Sequence, residues 1–269
     1  MQTRSRHRIS KKRKRRQFII RSILLVLVLV IILPPAIKIV KKLGKEKEPV
    51  LQIPPEIMPT GTEHPLEEYP EELIDLYIRN EEARQFVLDY FDKKDIEFEI
   101  DLTNEVQSGK VPLFMQWDER WGYTKYGDGM IALSACGPVS LSMVAVHLTG
   151  NLSFDPRAIA AFSYDNGYYV KNNGTSWKLM SEGAERLGLT SKELPLDENA
   201  VARELYAGRP VICIMGEGDF TTGGHYIVLT GYSDGYVSVN DPNSYKNSEK
   251  LWKFSEIQDQ IRNMWSYSI

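Results

Sequence analysis

An α+β fold is predicted by three features of the sequence. Helical apolar patterns come first, over residues 71–94 and again in "CGPVSLSMVAVHL". Strand-like apolar runs follow, in "RPVICIMG" and "HYIVLTGYSDGYVSVNDP". The last run contains its own turn, so its two strands pair as a hairpin and the sheet is mostly antiparallel.

The 269 residues suffice for one large domain with appendages. Charge divides the chain unevenly. Residues 1–50 hold 15 of the 33 Lys and Arg and only Glu46 and Glu48 of the 36 acids, leaving a net −16 on the remainder. The positive charge sits in one terminal arm without interleaved aromatics, which argues against a nucleic-acid partner.

Residues 1–17 form a basic tail. Behind it, Phe18 to Ile37 is a 20-residue apolar run broken only by Arg21. That length crosses a hydrocarbon core of ~30 Å as a helix, and Arg21 can snorkel to the headgroups. A transmembrane signal-anchor is therefore expected over residues 18–40, with the basic tail cytoplasmic and the body extracellular. A cleaved signal peptide, giving a secreted body, is the alternative. No small-x-small cleavage site is visible, which favours a retained anchor. Residues 41–70 carry six prolines between Pro49 and Pro70 and read as an extended stalk.

Residues 71–107 are expected to be a short two-helix segment. Leu73, Leu76 and Tyr77 share one helical face; Phe86, Val87 and Tyr90 share another after the polar break Asn80-Glu81-Glu82. Such short helices need the body to pack against. The body covers residues 108–269. Its expected helices run from Cys136 to about Leu148, within "TSWKLMSEGAERLG" up to Gly188, and through "ENAVARELYAG".

Cys136 opens the first of these helices. A helix N-terminus stabilises an anion, and the thiolate is the reactive form of cysteine. Gly137 leaves room for a substrate backbone, and Pro138 suits a first helical turn. The competing reading is a small buried hydrophobe. A nucleophile needs a base. His7 lies in the tail and His64 in the stalk, and His147 sits late in the same helix, ~16 Å from Cys136 at 1.5 Å per residue. His225, at the start of an apolar strand, remains. A three-residue loop Ser233-Asp234-Gly235 would set Tyr232 opposite Tyr236 and Asp241 opposite Ile227. His225 and Asp241 would then share the core face with Ile227, Leu229, Val237 and Val239. A two-residue Asp-Gly turn would send them to opposite faces. Gln116, in "MQWDERWG", is a candidate side-chain donor for an oxyanion.

"VPLFMQWDERWG", "ALSACGPVSLSMV", "GHYIVLTGY" and "VNDPN" occur in that order. Together they resemble the bacteriocin-processing (double-glycine) cysteine peptidases, specifically their stand-alone relatives on a papain-like fold. The resemblance implies Gln116 as oxyanion donor, Cys136 as nucleophile, His225 as general base and acid, and Asp241 as its orienter. It implies a peptide or protein substrate and no cofactor. The leader-trimming members are fused to an export transporter. This chain has one expected span and no ATPase motif, so the double-glycine substrate does not carry over. His and Cys are too few and scattered for a metal site.

Three other readings compete. Cys136 and Cys213 could pair as a disulfide. The body could be a non-enzymatic cell-surface or cell-wall binding module using Trp117, Trp121, Trp177 and Trp252. Or the acyl group could pass to an amine, as in transpeptidases and transglutaminases. Oligomeric state is not readable from the sequence.

Overall fold

The computed structural model describes residues 54, 57, 58 and 64–269. The basic tail, the expected anchor over residues 18–40 and most of the stalk lie outside the described residues. Among the described residues, no helix is long and apolar enough to cross a membrane.

The body is built on a six-stranded sheet. Its strands are β1 (Thr190–Glu193), β2 (Val211–Met215), β3 (His225–Ser233), β4 (Tyr236–Asn240), β5 (Leu251–Lys253) and β6 (Ile261–Ser268). Their spatial order is β1-β6-β2-β3-β4-β5, and every neighbouring pair is antiparallel. The chain therefore meets the expected α+β class. The C-terminal strand β6, which the apolar pattern did not announce, enters between β1 and β2.

The helices include α1 (Glu71–Arg79), α2 (Arg84–Leu88), α3 (Cys136–Thr149), α4 (Pro156–Asp165) and α5 (Glu198–Tyr206); α3 and α5 pack on the sheet, and α4 packs on α3. Alternation along β2 and β3 divides the core in two. Ile212, Ile214, Tyr226 and Val228 face the cluster containing α3. Cys213, Met215, Ile227 and Leu229 face a second cluster with Val201 and Leu205 of α5. Both faces are therefore buried, whereas the sequence suggested one core face. Helix α3 is buried continuously from Gly137 to Val146, which explains its lack of a polar stripe.

The N-terminal segment packs on the body, as its short amphipathic helices require. Leu73, Leu76, Tyr77, Phe86 and Val87 bury against one another and against Ala132, beside Trp117, Tyr123 and Leu133. Tyr123 stacks on Phe86 at 4.1 Å and donates to its carbonyl at 2.6 Å. The second expected helix is broken into α2 and a turn at Tyr90–Lys93. The end of the expected stalk also differs from an extended chain. Leu66–Glu68 form a 3-10 turn, Leu66 and Tyr69 are buried, and the Tyr69 hydroxyl donates to the Leu88 carbonyl at 3.0 Å. Two apolar side chains within reach of the α1 cluster outweigh the local preference for extended backbone.

Other local differences have visible causes. The helix expected up to Gly188 splits into a 3-10 turn, Trp177–Leu179, and one helical turn, Glu182–Arg186. Helix α4 was legible but overlooked: Asp155 accepts from the Ala158 amide, and Pro156 fills the first position.

The β3–β4 hairpin reaches the expected pairing by another route. Asp234 and Gly235 form a two-residue turn, both with positive φ (50° and 86°), and Ser233 opposes Tyr236. Alone, this turn would put His225 and Asp241 on opposite faces. A register shift between Leu229 and Gly231 cancels the displacement, so Val228 opposes Asn240. Asp241 thus follows in line with Ile227, as expected, although Tyr232 opposes Val237 rather than Tyr236. Gly235→Val is expected to cost about 1–2 kcal/mol, the penalty for an L side chain in left-handed backbone. Urea unfolding measures it; a variant as stable as the wild type would contradict this account of the turn.

Candidate active site

The sequence candidates converge from four separate elements. Cys136 is the first residue of α3, His225 the first of β3, and Asp241 directly follows β4. Gln116 lies in the segment that crosses the end of the hairpin. That crossing is fixed by backbone and amide bonds: the Gln116 amide donates to the Pro242 carbonyl at 2.7 Å, and Asn240 Nδ2 donates to the carbonyls of Val111 and Pro112 at 3.1 and 2.9 Å.

His225 Nε2 lies 2.7 Å from Asp241 Oδ1, with the two residues 6 % and 1 % exposed. An ionised carboxylate makes Nε2 the donor and leaves Nδ1 open to another partner, and Cys136 lies close enough for thiol and imidazole to shift each other's protonation. Burial disfavours the imidazolium, but the charge and hydrogen bond of Asp241, together with Cys136, outweigh it and raise the His225 pKa to about 10. Burial likewise opposes the Cys136 thiolate. The hydrogen bond and charge of His225, with the backbone of Tyr226 and Gly137, more than offset this and hold the thiol below its ordinary value. The same contest acts on Asp241. Burial would raise its pKa, but His225, Asn247 and the Asn243 amide keep it low.

Gln116 is 4 % exposed and donates from Nε2 to the Ala132 carbonyl at 2.6 Å. That acceptor fixes the amide orientation, because the reversed amide would set two oxygens face to face. Its Oε1 is buried without a partner. Leaving such a group unpaired costs about 1–3 kcal/mol, a feature tolerated where side chains serve function. The second Nε2 hydrogen remains to be used. Neither hydrogen bond that Gln116 donates goes to Cys136.

Gly137 plays a different part from the one expected. A Cβ there would lie 3.0 Å from Thr175 and 3.2 Å from Met180. Its smallness admits neighbouring side chains rather than a substrate backbone.

The structure narrows two competing readings. Both cysteines are free, and Cys213 is fully buried, where desolvation pushes its thiol strongly upward. The four tryptophans do not form one platform: Trp121 and Trp252 are buried, Trp117 donates to the Asn243 carbonyl, and Trp177 alone is largely exposed.

Sequence reasoning missed the residues that hold Asp241. Asn247 Nδ2 donates to Oδ2 at 2.8 Å, the Asn243 amide donates to Oδ1 at 2.8 Å, and Ser248 Oγ accepts from the Asp241 amide at 2.9 Å. The string "DPNSYKNS" offered a signal, since Ser244 caps a helical turn over Tyr245–Glu249.

Among solved structures, the chain is similar to a candidate C39-like peptidase from Bacillus anthracis, at 15% identity and a TM-score of 0.41, covering 60% of this chain and 96% of that one. It is also similar to the peptidase domain of Streptococcus ComA, a bi-functional ABC transporter of a quorum-sensing pathway, at 20% identity and a TM-score of 0.38, covering 50% and 91%. No curated protein matches. The model of the Peptidase_C39 like family matches residues 109–268, nearly the whole body from before Gln116 to the end of β6, and on that match the chain belongs to the Peptidase_C39-like family.

Proposed function

We propose that the chain is a membrane-anchored extracellular thiol peptidase that hydrolyses peptide or amide bonds. The observation that carries this reading is a thiol at a helix N-terminus, electrostatically coupled to an imidazole whose Nε2 is held by a buried carboxylate. The Cys136 thiolate attacks the scissile carbonyl carbon, and the carbonyl electrons move onto oxygen. The Cys136 amide, which has no intrahelical acceptor at the first helical position, and the spare Gln116 Nε2 hydrogen serve as donors to that oxygen. Collapse breaks the C–N bond, and His225 gives its Nδ1 proton to the leaving amine. His225 then takes a proton from water, which cleaves the thioester, releases the carboxylic acid and restores the thiolate–imidazolium pair. Asp241 stays ionised and fixes the ring.

Full-length protein in detergent, incubated with a mixed peptide library and read by mass spectrometry, tests the reaction. Hydrolysis products support it. Products joined to an added amine would identify acyl transfer instead, and no conversion by a protein whose Cys136 is alkylated normally would refute peptide turnover. Gln116→Ala is expected to lower kcat by roughly 10²–10³, the effect of one oxyanion donor; an unchanged kcat would remove it from that role.

The anchoring part of the reading rests on the charge flanking residues 18–40. Protease added to intact cells is expected to digest the body. Complete protection would place it on the cytoplasmic side.

A further inference from the structure

The N-terminal helical segment meets the loop carrying Asp241 through the turn Asn80 to Glu82, and that contact is made of hydrogen bonds. Glu82 Oε1 accepts from Ser244 Oγ at 2.9 Å and the Lys246 amide at 3.2 Å, while Oε2 accepts from the Tyr245 amide at 2.6 Å. Asn80 Nδ2 donates to the Asn243 carbonyl at 2.8 Å and to Asn243 Oδ1 at 3.2 Å. The two halves are locked together, since Asn80 Oδ1 accepts from the Glu82 amide at 3.0 Å.

From these anchors, two routes lead to the two oxygens of Asp241. The first runs through Asn243, whose amide donates to Oδ1. The second runs through Ser244, whose Oγ accepts from the Asn247 amide at 3.1 Å, and then through Asn247 Nδ2 to Oδ2. A cavity of about 340 Å³ lies between turn and loop, lined by Arg79, Glu81, Arg84, Phe220 and Asp241 among others. Polar bonds rather than filled apolar packing therefore join the two here.

We propose that Glu82, assisted by Asn80, is a positioning residue for catalysis: it braces the Asn243–Asn247 loop and thereby holds the Asp241 carboxylate on His225. This rests on the peptidase reading of the Cys136–His225–Asp241 site. It makes the segment before the family-matched residues a working part of that site. Glu82 touches neither substrate nor thiol. Its effect passes through the angle and distance at which Asp241 meets Nε2.

The test is the pH dependence of iodoacetamide alkylation at Cys136, followed in the full chain by mass spectrometry of the Cys136 peptide, with thermal unfolding measured in parallel. In Glu82→Ala the alkylation midpoint is expected to rise toward the ordinary thiol value. At pH values below both midpoints, one unit of that shift slows labelling about tenfold, because the rate follows the thiolate fraction. Asn80→Ala is expected to move it less, in the same direction. In Asp241→Ala, adding Glu82→Ala should change the profile no further, since the brace then has nothing to hold. Glu82→Gln keeps one acceptor oxygen and tests the case in which the alanine variant fails to fold; an intermediate shift is expected. A lowered unfolding temperature with the wild-type pH profile in Glu82→Gln or Glu82→Ala overturns the brace while leaving the peptidase reading intact. A wild-type profile already equal to that of a free thiol overturns the peptidase reading and the brace with it.

Discussion

Full-length protein carrying Cys136→Ala is expected to hydrolyse no peptide above the uncatalysed rate, and His225→Ala to lose nearly as much. Combining the two should cost no more than either alone, because the thiolate and imidazolium act as one unit. The physical basis is the mutual shift of the pair: each stabilises the other's charged form against burial. Iodoacetamide separates this from ordinary thiol chemistry. At pH 6–7, Cys136 is expected to label and Cys213 to stay unlabelled, since Cys213 is fully buried with its thiol pushed upward. His225→Ala should slow Cys136 labelling sharply in that range. Equal labelling rates in wild type and His225→Ala would show an unactivated thiol and return the body to the binding-module reading.

Asp241→Asn is expected to reduce kcat/KM by about 10³–10⁴, the scale at which losing the orienting carboxylate disables a triad. The sign follows from the shifts. The active ion pair needs an ionised Cys136 and a protonated His225. In the wild type it exists from the Cys136 pKa, below the usual thiol value, up to the His225 pKa of about 10. Without the Asp241 charge, only Cys136 opposes the burial of His225, and the His225 pKa falls. The Cys136 thiol, deprived of imidazolium, climbs back. The window therefore closes from both sides, and pH profiles of kcat/KM should show the alkaline limb moving toward neutral pH. An alkaline limb unchanged in Asp241→Asn would detach Asp241 from His225 function.

The residues that meet at the site were legible in the sequence because each sits where an element begins or ends. Cys136 precedes an apolar helical run, His225 begins an apolar strand, and Asp241 ends the hairpin. Such boundaries follow from local composition. Strand β6 was not legible, because its place between β1 and β2 is set by partners nearly 50 residues or more away in the chain. Nor was the hairpin register. The string "SDG" allows a three-residue loop or a two-residue turn, and the choice depended on a bulge near Thr230 that no side-chain pattern marks. Asn247 and Glu82 escaped for a related reason. Each is an ordinary polar surface residue by sequence, and each gains meaning only through a hydrogen bond to a loop placed by the fold.

The hairpin carries a kind of parity arithmetic. Side chains on a strand alternate, so a residue gained or lost within one paired strand reverses the face of what lies beyond it unless a bulge absorbs it. The short Asp234-Gly235 turn makes one reversal and the bulge beside Thr230 makes a second. Alignment of imidazole and carboxylate is therefore set by the pairing at the base of the ribbon, not by any single residue of the tip. Removal of Thr230 would leave a regular ladder with Asp241 still in line with Ile227, and one residue added to the tip would lengthen the loop with Ser233 still opposite Tyr236. The tip can accordingly drift in length and sequence over evolutionary time, because the bulge separates it from the base, where the chemistry stays in step.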